Sequence, residues 1–515
     1  MVTLRPKERG PTIPDAITPA SPRADVELIT IGNKTQSTIP NKLDDPFLVT
    51  FSEPNDASNP KNWHVRRKWA VTDVLSATGF NRIMVSTIIA PALPLIAHEF
   101  SMNSTETMMS FSSYVLATAF GPLLIGPLSE VYGRSPVLNA SNIWFLVWNI
   151  ACGFANNKHT LIAARFLAGF GASSIYALRG GVLGDIWTPE QRGRSLGVYL
   201  LIPLLGAVVG PIIGGFMAVR TTWRWMFWST SAFQAVMILV CFSVFRETYA
   251  PLVLKRRAER LRKTTGNDRY KTAHQHLQEK KSVIQVLTMA LSRPLRLMLH
   301  HPVIQLASLI EAFYYGILYL LLASFADLWT QHYHASVELS GIHYIAVAGG
   351  ELAGSQLGGY VLDAFYRRLR NRDDADASLH PEHRLPLMFP GQLIGFLGLL
   401  IYGWTAQYHV HWIAVDIGIF VACFGLQMSG MAMHAYVIDA YAEHTSSAQA
   451  ATQFLLSLTA FLFPLFAPIL YRALGYGWGN SVLVAIGFFI GFPLMFSLWK
   501  CGRRWRKESP STGDI

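Results

Sequence analysis

Apolar residues in this 515-residue chain come in long unbroken runs, and the charged residues collect in the joints between them. A helix that crosses a bilayer needs about 20 mostly apolar residues at about 1.5 Å rise each, and the runs have that length. The hydropathy predicts twelve spanning helices, at 69–96, 108–128, 137–155, 160–183, 195–219, 224–245, 302–329, 339–364, 386–405, 411–437, 446–471 and 479–500. They fall six and six on either side of a polar, basic stretch. The expected fold class is an all-α membrane protein, with twelve transmembrane helices in two pseudo-symmetric six-helix bundles. Its expected parts are a disordered cytoplasmic tail (1–60), a first bundle (61–245), a basic cytoplasmic linker (246–301), a second bundle (302–500) and a short cytoplasmic tail (501–515). Within the linker, 252–262 and 283–299 have helical spacing and basic faces suited to the membrane surface, and a solvated linker is the alternative.

Charge changes the picture more than composition does. A net charge of +11 could point to nucleic acid, but the basic residues sort by loop. Lys61, Arg66, Arg67, Lys68, Arg134, Arg192, Arg194, the linker, 367–372 and 503–507 all fall on one side of the predicted membrane. That asymmetry is the positive-inside pattern and puts both termini in the cytoplasm. It makes the bilayer the partner and excludes nucleic acid. The tail 1–59 has no apolar core that would read as a signal peptide. The 40 glycines and 27 prolines are tolerated in membrane helices, where small residues let backbones approach. Cys152, Cys241, Cys423 and Cys501 have no metal or disulfide spacing, so no metal site is expected. The chain lacks a Gly-x4-Gly-Lys-Ser/Thr loop and an intramembrane His/Asp ligand cluster, which argues against an ATP-driven pump and against an enzyme.

Two motifs carry mechanism. Gly126, Glu130 and Arg134 follow the second run with the same spacing as Gly359, Asp363 and Arg367 after the eighth, an internal repeat that fits parallel halves. In the first copy Gly133 supplies a tight turn, and Asp185, at the linker-side end of the fourth run, is a plausible partner for Arg134. The fifth run holds Gly206, Gly210, Pro211, Gly214 and Gly215. Glycines at i, i+4 and i+8 share a face for close packing, and Pro211 removes the amide that would bond to Ala207.

The loop from Gly126 to Pro136 resembles the loop signature of the major facilitator superfamily, and 206–215 is similar to the antiporter motif of its twelve-helix drug:proton antiporter branch. Arg165, in Arg165-Phe-Leu-Ala-Gly169-Phe-Gly171, resembles that branch's helix-4 arginine, which the resemblance links to proton coupling. Asn59-Pro-Lys-Asn-Trp63, Trp223-Arg-Trp225, Pro381-Glu-His-Arg-Leu-Pro386, Gly403-Trp404, His411-Trp412 and Tyr436-Val-Ile-Asp439-Ala-Tyr441 are similar to fungal members. The resemblance covers about 59–507, and Val131 and Ser135 depart from it where basic residues are usual. It implies a monomeric plasma-membrane exporter of a toxin, secondary metabolite or drug, exchanging it for protons, with the proton gradient as energy source and no cofactor. A polyamine or cation exporter of the same family, or a transporter-like sensor without net flux, is the alternative.

Ionisable residues away from the interface are costly and normally face a cavity or a partner. Arg82, Glu311 and Glu351 fall at depth in the first, seventh and eighth runs. Arg82 is expected beside Glu311 or Glu351, with one acid exchanging a proton. Tyr114, Tyr315, Tyr319, Gln356 and Gln427 are candidates to line a cargo cavity. Asn103-Ser-Thr105 is a glycosylation sequon in the first outer loop.

Overall fold

A computed structural model describes residues 47–51, 56–187, 189–272, 283–370, 381–441 and 445–508. The expected disordered tail lies mostly outside these residues, and the unit 1–46 wholly so. The first half comprises α1 (Val65–Thr87), α2 (Leu93–Glu99), α3 (Ser104–Tyr132), α4 (Arg134–Gly153), α5 (Lys158–Ala172), α6 (Ser174–Ile186), α7 (Pro189–Arg220) and α8 (Arg224–Val244). The connection holds α9 (Ala250–Thr265) and α10 (Val283–His300). The second half comprises α11 (Pro302–Asp327), α12 (Val337–Arg370), α13 (Met388–Gln407), α14 (Trp412–Ala440), α15 (Thr445–Ile486) and α16 (Phe492–Glu508).

Among the described residues, nine helical segments are long and apolar enough to cross a membrane on length and composition alone. The difference from twelve has physical causes. α4 is diluted by Asn139, Asn142 and Asn149, and α12 by His343, Glu351, Gln356 and its glycines, so both miss a purely apolar criterion while packing as spans. The last two spans run together as one helical stretch over Ser447–Arg506, but Gly475, at φ 69°, breaks it in two.

Packing repeats between the halves. In the first, α1 lies against α7, α3 against α5, α4 against α5 and α4 against α8; in the second, α11 lies against α15, α12 against α14, α13 against α14 and α13 against α15. The halves meet along α3 with α15 and along α7 with α12, which are equivalent pairs under the repeat. Small residues also allow close packing within a half: a Cβ on Gly354 of α12 would stand 2.6 Å from the Phe424 carbonyl of α14. In lipid such close van der Waals packing replaces the hydrophobic effect as the force between helices.

Both linker segments expected to be helical form α9 and α10. The short segment before the first bundle docks on this linker: Val49 N–H donates to the Lys271 carbonyl at 2.9 Å, and Asp56 pairs with Arg257 of α9.

Candidate functional site: a charged rim, a glycine seam and a polar interior

At the end of the bundle where the linker attaches, Gly133 turns the chain from α3 into α4 at φ 103°, a backbone state that disfavours any side chain. The first amides of α4 would be orphaned there. Glu247, just beyond α8, satisfies them by accepting from Arg134 N–H at 2.9 Å and from Ser135 N–H at 3.4 Å. The Arg134 side chain then reaches Asp185 at 3.4 Å, donates to Ser129, and lies 5.2 Å over the Tyr249 ring, while Thr248 donates to Asp185 at 3.3 Å. The Arg134 and Asp185 pairing is the expected one. Glu130 is exposed at the edge of this network. Gly126 and Gly359 have open space around them. Asp363 and Arg367 lie on α12, with side chains outside the described residues.

Glu247 was missed by the sequence reading, although an acid directly after the sixth apolar run was the available signal. The second half carries a counterpart that the spacing of Gly359, Asp363 and Arg367 does not reveal. Arg384, just before α13, pairs with Asp439 at the end of α14 at 2.5 Å, and Arg506 pairs with Glu382. Arg134 opens the third span and Asp185 closes the fourth; Arg384 and Asp439 hold the same places at the ninth and tenth.

The glycines of α7 serve two neighbours. Cβ atoms on Gly206, Gly210 and Gly214 would stand 2.5 Å from the Phe80 carbonyl, 2.8 Å from that of Met84 and 2.0 Å from that of Ile88, so this face is pressed onto α1. Gly215 and Pro211 face α12 instead, where a Cβ on Gly341 would stand 2.6 Å from the Pro211 carbonyl. This contact lies at the end of the bundle away from the linker, and Arg220 pairs there with Glu338 at 2.8 Å. A cavity of about 450 Å³ opens between the halves at the same end, lined among others by Met102, Thr107, Asp327, Tyr471 and Arg472.

In the interior, the expected pairing of Arg82 with Glu311 or Glu351 is not the arrangement found. Arg82 is buried within the first half, where it donates to Asn142, to Ser174 and, at 3.3 Å, to the Ala172 carbonyl. Asparagine and serine dipoles close at hand on α4 and α6 take up both terminal nitrogens of the guanidinium without a carboxylate, while its buried Nε has no partner among the described residues. Arg165 is likewise fully buried and donates to the carbonyls of Val85 (2.8 Å), Ser110 (3.2 Å), Phe111 (3.3 Å) and Ser86 (3.4 Å). It ties α1 and α3 to α5. Tyr114 joins this packing by donating to the Arg82 carbonyl at 2.9 Å.

Glu311 has His434 of α14 as its neighbour, with Nδ1 3.5 Å from Oε1. The Glu311 side chain is 4% exposed and that of His434 is 42% exposed, so the histidine stands between the acid and open space. Glu351 lies beside Tyr315 and Tyr319 of α11, whose rings are 5.0 Å apart. Tyr319 faces Phe111 of the first half at 6.2 Å, and Tyr315 meets Tyr176 of α6. Gln427 sits at the seam of α12 and α14, where a Cβ on Gly354 would meet its Cβ at 3.0 Å, and Gln356 is exposed. Asn103 is exposed, and its Oδ1 caps α3 by accepting from Glu106 N–H at 2.8 Å.

Two repeated helical bundles, joined by a basic linker and meeting along two equivalent seams around polar interior groups, define a multi-pass membrane transporter fold. Residues 75–464 match the sequence profile of the Major Facilitator Superfamily, and the chain belongs to that family. Its relatives include the "Probable efflux pump mfs2" of Aspergillus flavus, 50% identical over 82% of this chain and 100% of that protein. "Efflux pump vrtL" of Penicillium aethiopicum is 40% identical over 90% of this chain and 91% of its own. Among solved structures, the partially occluded inward open xylose transporter XylE from E. coli superposes with a TM-score of 0.59 at 14% identity, covering 82% of this chain and 98% of its own. A bacterial homolog of the human lysosomal transporter Spinster superposes at 0.58 and 16% identity, covering 87% and 98%. These two share the fold.

Proposed function

We propose that this protein is a secondary active exporter of small organic compounds, acting as a monomer in the plasma membrane with both termini cytoplasmic and exchanging cargo for protons. Similarity to proteins named as efflux pumps supports the direction of transport. One observation carries the coupling: neither carboxyl oxygen of the buried Glu311 has a hydrogen-bond partner among the described residues, and His434 is the titratable neighbour beside it. A carboxyl in that position can take a proton when the cavity faces one side and release it when the cavity faces the other, with His434 passing it to and from open space. Glu351, in the same interior, is the second candidate carrier. The halves would rock about the seam of α7 and α12, while the two arginine–aspartate pairs keep each half rigid at its linker end. Arg165 holds the helices that frame this interior and acts on coupling through their placement.

The test is flux in liposomes under an imposed pH gradient, with rhodamine 6G as cargo. Wild type is expected to accumulate dye against its gradient. Glu311→Gln and Glu351→Gln are expected to lose the response to the gradient while dye exchange without a gradient persists. Full gradient-driven flux in both variants would overturn the coupling. Two interior acids without an arginine partner also favour a cation such as a polyamine, and competition of spermidine with the dye separates that reading. A sensor would show no flux at all.

A further inference from the structure

Three arginines of the first half lie inside the spanning region, and two are buried and held by hydrogen bonds within that half, with only the Nε of Arg82 left over among the described residues. Arg82 is taken up by Asn142, Ser174 and the Ala172 carbonyl, and Arg165 by four backbone carbonyls. Arg179 differs. It sits in the linker-side part of α6, half-buried, and among the described residues it forms no ion pair with a carboxylate. Its one defined contact is the Tyr176 ring, 5.9 Å from the guanidinium carbon.

The direction in which Arg179 points follows from its neighbours. α6 touches α15 of the second half. Tyr176, one turn before Arg179 on the same face, interacts with Tyr315 of α11, and the charge of Arg179 is felt by His434 of α14 and by Tyr199 of α7. The guanidinium therefore lies where α6 approaches Tyr315 and His434 of the second half. Two interior acids of that half, Glu311 and Glu351, are not within ion-pair distance of it. An arginine in a membrane interior normally has a partner. Arg179 is only half-buried and the His434 side chain is 42% exposed, so this guanidinium can be reached by a molecule from outside.

We propose that Arg179 is the recognition group for an acidic function on the exported compound, a carboxylate or phenolate carried on an aromatic scaffold. The proposal rests on the exporter reading and adds the chemistry of the cargo. A guanidinium offers two parallel donors to a carboxylate and one to a phenolate, and Tyr176 and Tyr315 supply flat apolar faces for the rest of the molecule. Bound cargo would bring its negative charge to a cation that has no carboxylate partner among the described residues, and it would do so beside His434, the neighbour of the proposed proton carrier. Cargo and proton would then occupy adjacent places on opposite halves.

The test uses two xanthene dyes of similar size and opposite charge, fluorescein and rhodamine 6G, binding to the purified full-length protein as read by fluorescence polarisation. Wild type is expected to bind fluorescein. Arg179→Gln is expected to weaken it by at least about tenfold, equivalent to about 1.4 kcal/mol. Arg179→Lys, which keeps the charge and loses the fork, should recover part of that affinity. Rhodamine 6G affinity should stay within about twofold in both variants, which also shows that they are folded. Unchanged fluorescein binding in Arg179→Gln overturns the proposal. So does equal loss of both dyes, which would make Arg179 a gating or structural group, and so does wild type that binds no fluorescein. Failure of the exporter reading appears separately, as absent flux of any dye by wild type in liposomes.

Discussion

Gly341 of α12 and the carbonyl of Pro211 on α7 are pressed together so closely that a Cβ on the glycine would stand 2.6 Å from that oxygen. Backbone meets backbone between the two halves at the end away from the linker. Gly341→Val inserts three carbons into this seam, and overpacking of this kind costs about 1–3 kcal/mol. The variant is expected to reach the membrane and elute as a single species, with dye efflux reduced at least about tenfold because the seam can no longer close. Gly180→Val, on a face with open space, is the matched control and should leave efflux near wild type.

Gly133 holds φ 103° with Glu247 directly behind it, where a Cβ would lie 2.3 Å from Oε2. Gly133→Ala therefore combines backbone strain with displacement of the group that caps α4. The expected loss is about 1–3 kcal/mol, read as a lower thermal midpoint in detergent. Glu247→Gln keeps the shape and an acceptor and removes the charge at a helix N-terminus, so its loss should be smaller, about 0.5–1 kcal/mol.

The pairs Arg134 with Asp185 and Arg384 with Asp439 occupy equivalent places in the two halves. Double-mutant cycles with Arg→Gln and Asp→Asn should give favourable coupling within each pair of about 0.5–3 kcal/mol, and near zero between the pairs. Coupling within the first pair alone would show that the repeat is geometric and not energetic.

Arg165 spreads its guanidinium over four carbonyls from two turns of backbone, one on α1 and one on α3. An ammonium is a compact donor group and cannot span them. Arg165→Lys is expected to lower the yield of folded protein severely, measured as the monodisperse fraction after extraction, before any question of coupling arises. A well-folded Arg165→Lys protein that loses only proton dependence would instead make Arg165 part of the coupling machinery.

His301, at the start of α11, is buried with its Nδ1 3.4 Å from the Tyr441 hydroxyl. Burial, helped by the neighbouring His300, lowers its pKa below the ordinary 6.5. The folded state then favours neutral His301, so at low pH the unfolded chain binds the extra proton. Its contribution to stability is present above about 6.5 and is lost as pH falls through that value towards the folded pKa. His301→Gln should flatten the dependence of the thermal midpoint on pH between about 5 and 7.

The apolar runs alone settled that this chain folds in lipid, because the number of residues needed to cross a bilayer is a property of one helix and needs no partner. The repeat, the tight turn at Gly133 and the packing face of α7 were legible for the same reason: each is written in the spacing of a single segment. Even the purely apolar criterion fails for α4 and α12 only because asparagines, glycines and a glutamate suited to an interior dilute them. What the tertiary structure decided was pairing. Arg82 was expected opposite Glu311 or Glu351 from depth, yet depth leaves the rotation of each helix about its axis undetermined, and that rotation turns Arg82 towards Asn142 and Ser174 and Glu311 towards His434. Glu247 at α4, Arg384 with Asp439, and Arg179 facing the second half belong to the same class. Each depends on the relative angle of helices far apart in sequence, which the packing of the whole bundle sets and a one-dimensional pattern does not contain.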